Sequence, residues 1–207
     1  MKTKSLYIVE KVRRLYQRYG IKSVTMDDVA KHLYISKKTL YENFKDKEDL
    51  VTQVVLLEDD EKNKYYREIE NRGLNAIEEL FQYYQMLFGN FKNFNPSMEY
   101  DLRKYYPDLY MKIRDMRRNR HYKSSYRNML KGKKEGLFRQ ELNARIIAKL
   151  QVLRNEHLYE TDYFTKEELS SFKAFHEMFI YHIQGILSEN GRKFFGENFS
   201  RFRSYLT

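Results

Sequence analysis

Cysteine is absent from the 207 residues, proline occurs twice and glycine eight times. Without cysteine there is no disulfide framework and no thiolate chemistry, and the composition suits a reducing cytosol. So few prolines and glycines, spread over long periodic segments, point to an all-α protein. No apolar run reaches the roughly 18 residues of a membrane-spanning helix, and Leu6–Val9 is too short for a signal peptide. The expectation is a cytoplasmic protein without membrane contact. Motifs for nucleotides, flavins, acyl transfer and zinc hydrolysis are also missing. His32, His121, His157, His176 and His182 do not pair at helical i, i+4 spacing, so no metal, no cofactor and no enzyme activity is expected.

What is present is positive charge, a formal +10. That balance favours an anionic partner: nucleic acid, a membrane surface or an acidic small molecule. Apolar residues recur at 3.6-residue spacing from Leu6 to Tyr19, and Gly20 follows as a helix terminator. In "VTMDDVAKHL", Thr25 is an N-cap with Asp28 three residues on, the pattern of a shortened capping box. A short helix over 25–33 follows, and Ser36 caps a second over 37–43. Asp46 starts a long helix reaching about Asn71. Further helices are expected at 74–91, from Asn95, at 107–134, 145–159 and 167–187. Gly191 opens a last one, with Phe195, Phe199, Phe202 and Leu206 along one line. "EGLFRQELN" is a connector with Asn143 as a cap.

Two short helices joined by a tight turn, with small Ala30 at their crossing and apolar Ile35 in the turn, form a helix-turn-helix pattern. One detail sharpens this. Lys37 and Lys38 occupy the first turn of the second helix, where the partial positive charge of the helix end disfavours cations. The next helix start obeys the rule, with Glu48 and Asp49 in its first turn. Cations in the wrong place are tolerable where their partner is a phosphate or a guanine edge.

The stretch "LYQRYGIKSVTMDDVAKHLYISKKTLYENFKDKEDLV" resembles the DNA-binding domain of the TetR (tetracycline repressor) family of bacterial regulators. The resemblance rests on Tyr19-Gly20, "TMDDVA", "ISKKTLY" and the F-K-x-K-E-x-L that opens the fourth helix. It implies a three-helix DNA-binding domain over 1–47 and a helical effector-binding and dimerisation domain over 48–207. Carried over by position, Thr25 would meet a phosphate. Ser36, Lys37, Lys38, Thr39 and Asn43, with Glu42 nearby, would line the base-facing side, while Tyr41 and Lys47 would reach phosphates. Tyr34 departs from the pattern: the family usually has glycine at this turn position. Either the turn changes or tyrosine bears the strain of a positive φ, about 1 kcal/mol.

Beyond the resemblance itself, the larger region offers two apolar stripes. Ile146, Ile147, Leu150 and Leu153 lie on one helix, and Phe172, Phe175, Phe179, Ile183 and Ile186 on another; they are expected to form a homodimer interface. Nineteen tyrosines and fourteen phenylalanines supply aromatic walls. On helix 107–134 an apolar line continues geometrically into cations, which need internal carboxylates or an anionic ligand. The expected pocket joins Tyr84, Phe88 and Met116 with Arg120 or Lys123, for an anionic or aromatic effector. The reading that results is a repressor that binds a palindromic operator in double-stranded DNA and is released by a small molecule. An activating or ligand-independent regulator, or a basic helical protein that binds RNA or a membrane surface, stays open as an alternative.

Overall fold

The computed structural model describes residues 3–92, 96–157, 165, 167–168 and 173–203. Among these residues the fold is all-α, with no strand and only an isolated bridge between Phe138 and Leu187. The helices are α1 (Thr3–Tyr19), α2 (Met26–His32), α3 (Lys37–Tyr41), α4 (Lys47–Asn71), α5 (Ala76–Lys92) and α6 (Pro96–Tyr105). They continue as α7 (Pro107–Lys134), α8 (Ala144–His157), α9 (Lys173–Ile186), α10 (Glu189–Glu197) and α11 (Phe199–Arg203). None of the described helices is long and apolar enough to cross a membrane. The chain packs as two compact units, Met1–Lys64 with Phe94–Arg117, and Tyr65–Asn93 with Arg118–Thr207.

In the first unit, α1 lays Ile8, Val12 and Tyr16 against Val29 and Ala30 of α2, Leu40 of α3, and Leu50 and Val54 of α4, all buried in one cluster. Burying Leu- and Ile-sized side chains contributes about 1.5–3 kcal/mol each, so this cluster, not helix propensity, holds such short helices. Gly20 ends α1 at φ 78°, its N–H donating to Tyr16 O at 2.9 Å. A Cβ there would lie 2.9 Å from Asp101 Oδ2, a carboxylate that accepts the Lys22 N–H at 2.8 Å. Glycine is needed at this position on both counts.

The second unit centres on stacked rings. Phe81 packs on Phe179, Phe195 and Phe202 with centroids 4.9, 5.9 and 4.2 Å away. The connector after α7 folds Phe138 onto Gly132, where a Cβ would sit 2.0 Å from the ring. Asn143 caps α8, its Oδ1 accepting the Arg145 N–H at 3.0 Å. The C-terminal reading needs correction. The last helical segment opens at Glu189, two residues before Gly191, because Ser188 Oγ accepts the Gly191 N–H at 3.0 Å. It breaks at Asn198, which exposes Phe199 while Phe195 and Phe202 stay buried. Leu206 lies outside the described residues.

Candidate DNA interface and ligand cavity

The helix-turn-helix is built from local hydrogen bonds. Thr25 Oγ1 accepts the Asp28 N–H at 3.1 Å, and Asp28 Oδ2 accepts the Thr25 N–H at 2.9 Å, a complete capping box. These bonds hold the Asp28 carboxyl below its usual range, the Thr25 hydroxyl contributing most. At the far end of α2, Tyr34 N–H donates to Lys31 O at 3.2 Å and Ile35 N–H to Ala30 O at 3.0 Å. That pair of bonds is a Schellman motif, which requires a left-handed residue after the helix. Tyr34 supplies it at φ 53°, with its side chain 97% exposed. The turn keeps its usual form and tyrosine bears the strain.

Ser36 caps α3, its Oγ accepting the Thr39 N–H at 3.0 Å. Leu40 is buried beneath, which fixes the outward face of α3. On that face Ser36, Lys37, Lys38 and Tyr41 are exposed. The two lysines differ. Lys37 Nζ lies 2.6 Å from Asp27 Oδ2, and this bond raises the ammonium pKa. A carboxylate at the start of α2 thus offsets the unfavourable helix end. Lys38 has no salt bridge or side-chain hydrogen bond among the described residues.

Two expected contact residues are committed inside the protein. Asn43 Nδ2 donates to Thr39 O at 2.8 Å, and its Oδ1 accepts the Ser5 hydroxyl at 2.9 Å, tying α3 to α1. With both ends of its amide engaged, Asn43 braces α3 in this structure. Lys47 Nζ donates to Lys22 O at 3.2 Å, and burial lowers its pKa.

In the second unit a narrow cavity of about 30 Å³ lies among α4, α5, α7, α8 and α9. Tyr66, Tyr83, Tyr84, Phe175 and Phe179 form its aromatic wall. The opposite wall is polar: His121, Ser124, Ser125 and Asn128 of α7 face Gln151, Arg154 and Asn155 of α8. Of the expected pocket residues, only Tyr84 lines it. Phe88 stands one ring behind, 6.1 Å from Tyr84. Met116 is exposed and belongs to the first unit; Lys123 is exposed, and Arg120 sits over the Tyr66 ring at 5.7 Å. The inward line of α7 is instead His121, Ser124, Ser125 and Asn128, spaced i, i+3, i+4, i+7. A search for apolar periodicity passes over such a stripe because none of its members is hydrophobic.

Four cations of α7 find partners within the protein. Arg127 reaches Glu70 at 3.3 Å and Glu79 at 3.2 Å, and Lys131 reaches Glu79 at 2.8 Å. Arg118 and Glu156 form a two-pronged pair, and Arg117 stands 3.5 Å from buried Asp59. The expected interface stripe is also redistributed. Phe179 and Ile183 are buried in the core of the second unit, Phe175 packs on Tyr84, and Phe172 lies outside the described residues. The outward apolar positions are Ile146, Leu150 and Leu153 of α8, each more than half exposed, with Tyr181 of α9. Ile147 turns inward against the core.

Residues 8–54 match the family described as bacterial regulatory proteins, tetR family. No curated protein matches the sequence. Solved structures resemble nearly the whole chain. A transcriptional regulator from Cytophaga hutchinsonii aligns with TM-score 0.72 and 19% identity, over 89% of this chain and 99% of the other. A regulator of the TetR/AcrR family from Thermobifida fusca aligns with TM-score 0.66 and 18% identity, over 88% and 97%. A gamma-butyrolactone receptor described as ArpA-like gives 0.62 and 15%, over 95% and 94%. At these identities the neighbours show the fold alone; the matched segment carries the assignment. The matched segment is thus a helix-turn-helix DNA-binding region of the tetR kind, and the chain as a whole shares the fold of these neighbours.

Proposed function

We propose that the protein represses transcription as a homodimer on a palindromic operator and leaves it when a small molecule enters the second unit. The observation that carries the reading is the exposed, unpaired Lys38 on a recognition helix braced from both sides by Ser36 and Asn43. A helix held that firmly, presenting a cation with no partner among the described residues, is suited to read base edges in the major groove. Tyr41, half exposed, and Thr25 at the start of α2 flank it for phosphate contacts. One short helix reads too few base pairs for specificity, so two copies are required, with half-sites about 34 Å apart. Ile146, Leu150 and Leu153 supply an apolar face on which a second copy can pack.

The cavity is the effector site of this reading, and a receptor for gamma-butyrolactone among the similar folds supports it. Tyr66 of its wall belongs to α4, the helix that starts at Lys47 just after the recognition helix. A ligand that favours a different position of α4 would shift the population of dimers away from the operator-matched spacing. The setting for such a protein is the cytoplasm. Footprinting on the gene's own upstream region tests the reading. A protected palindrome with half-sites one helical turn apart, lost on mutation of either half, is the expected result. Equal protection of scrambled duplex would refute it.

A further inference from the structure

We infer that the cavity of the second unit is a carboxylate site, in which Arg154 takes the acid group of a small organic anion and the aromatic wall takes its body. This rests on the effector reading of the same cavity and names the chemistry of what enters it. Arg154 lines the cavity, and its Nη1 donates to the carbonyl of Met178 at 3.1 Å. Its Nε is buried and has no hydrogen-bond partner among the described residues. None of the described residues that line the cavity is acidic. The neighbouring carboxylates are committed elsewhere: Glu156 to Arg118 at 2.9 Å, and Glu79 to Arg127 and Lys131.

Arg154 is half-buried with no counter-charge among the described residues, a costly placement for a cation. Burial draws its pKa down to about 10. His121 and His182 are pushed to about 4 and about 3, chiefly by burial and next by the charge of Arg154. Both imidazoles are therefore neutral near pH 7, and Arg154 is the cation of this wall. Its guanidinium can meet a carboxylate with two parallel N–H donors, a geometry a neutral amide cannot match. Around it stand Ser125, Asn128, Gln151 and Asn155 for the remaining lone pairs. Asn128 is already bonded to Ala76 O and Glu79, Gln151 to the His182 ring and Asn155 to the His121 ring, which leaves the buried Ser124 hydroxyl as a lining donor without a hydrogen bond among the described residues.

Size adds a second consequence. A cavity of about 30 Å³ has room for about two water molecules. An organic acid enters only by parting α8 and α9 from α7, so occupancy and helix position are linked. Neutralising the half-buried cation supplies a driving force for that opening.

The test uses the full-length protein and titration calorimetry with butyrate, benzoate and phenylacetate, each against its own amide. At least one acid binds, and its amide binds roughly tenfold weaker or less. Arg154→Met removes that preference and lowers acid affinity by a similar factor. The same substitution raises the melting temperature of the unliganded protein, because an unpaired half-buried charge has gone. Arg154→Gln is run alongside, so that a folding defect peculiar to Met is recognised. Absence of acid binding, equal binding of acid and amide, or unchanged acid binding by both variants would overturn the inference. Operator affinity is measured in parallel. Acid binding that leaves operator affinity unchanged keeps the carboxylate site and removes the effector role.

Discussion

Lys38 of α3 and Lys131 of α7 are both cations on helices, yet they lie in opposite surroundings. Lys131 touches Glu79 at 2.8 Å and also donates to the carbonyl of Leu74, closing an internal network with Arg127 and Asn128. Lys38 meets no acid within the described residues. The same contrast runs through the two regions: four cations of α7, Arg117, Arg118, Arg127 and Lys131, are spent on Asp59, Glu156, Glu70 and Glu79, whereas α3 presents charge outward. The formal +10 therefore does not mark the densest basic helix as the surface for an anionic macromolecule. What distinguishes a binding surface is a charge left unpaired on a rigid mount.

The largest test of that difference removes the acid that serves α7. Glu79 is fully buried and accepts from Arg127, Lys131 and Asn128. Glu79→Leu leaves Arg127 with Glu70 and Lys131 with the more distant Glu135, and should lower stability by about 3–5 kcal/mol, read from urea unfolding. A loss below about 1 kcal/mol would show that the network is surface decoration. The second test acts on the other side. Lys38→Ala should weaken operator binding by about 1–3 kcal/mol while stability moves by no more than about 0.5 kcal/mol. Lys37→Ala should weaken operator binding less, because that ammonium is already held by Asp27 at 2.6 Å. If the two substitutions cost the same affinity, the pairing argument fails.

How far each region can be read from residues alone follows the same physics. The helix-turn-helix is local: Thr25 and Asp28, Ser36 and Thr39, Asp46 and Asp49 each meet within three positions, so spacing reveals them. Helix α7 was legible to the residue, since proline marks its start. The Asn43–Ser5 bond and the Lys47–Lys22 contact span 38 and 25 positions, and no local pattern announces them. The cavity is less legible still. Its α7 wall is a stripe of small polar groups, and its cation, Arg154, looks like any other basic residue on an amphipathic helix. Phe179 and Ile183 read equally well as interface or core; only the packing of Phe81 against Phe179 decides for core.

The smallest effect concerns Tyr34, where the unpaired feature is conformational. Its ring is almost wholly exposed, so the fold gains no packing from it, yet its backbone sits at φ 53°. Asparagine adopts this region more readily because its short side chain bonds locally. Glycine would relieve the strain too, but it loosens the unfolded chain and offsets part of the gain. Tyr34→Asn should therefore stabilise the protein by up to about 1 kcal/mol, read as a small rise in melting temperature. Tyr34→Ala keeps the same strained backbone and should leave stability nearly unchanged, which separates the cost of φ from the loss of the ring. A rise with alanine as large as that with asparagine would mean the exposed ring, not the backbone, carries the cost. Measured on operator DNA, the same pair also sharpens the contrast with Lys38. If both variants keep full affinity, recognition rests on α3 itself, and the strained turn serves only to aim it.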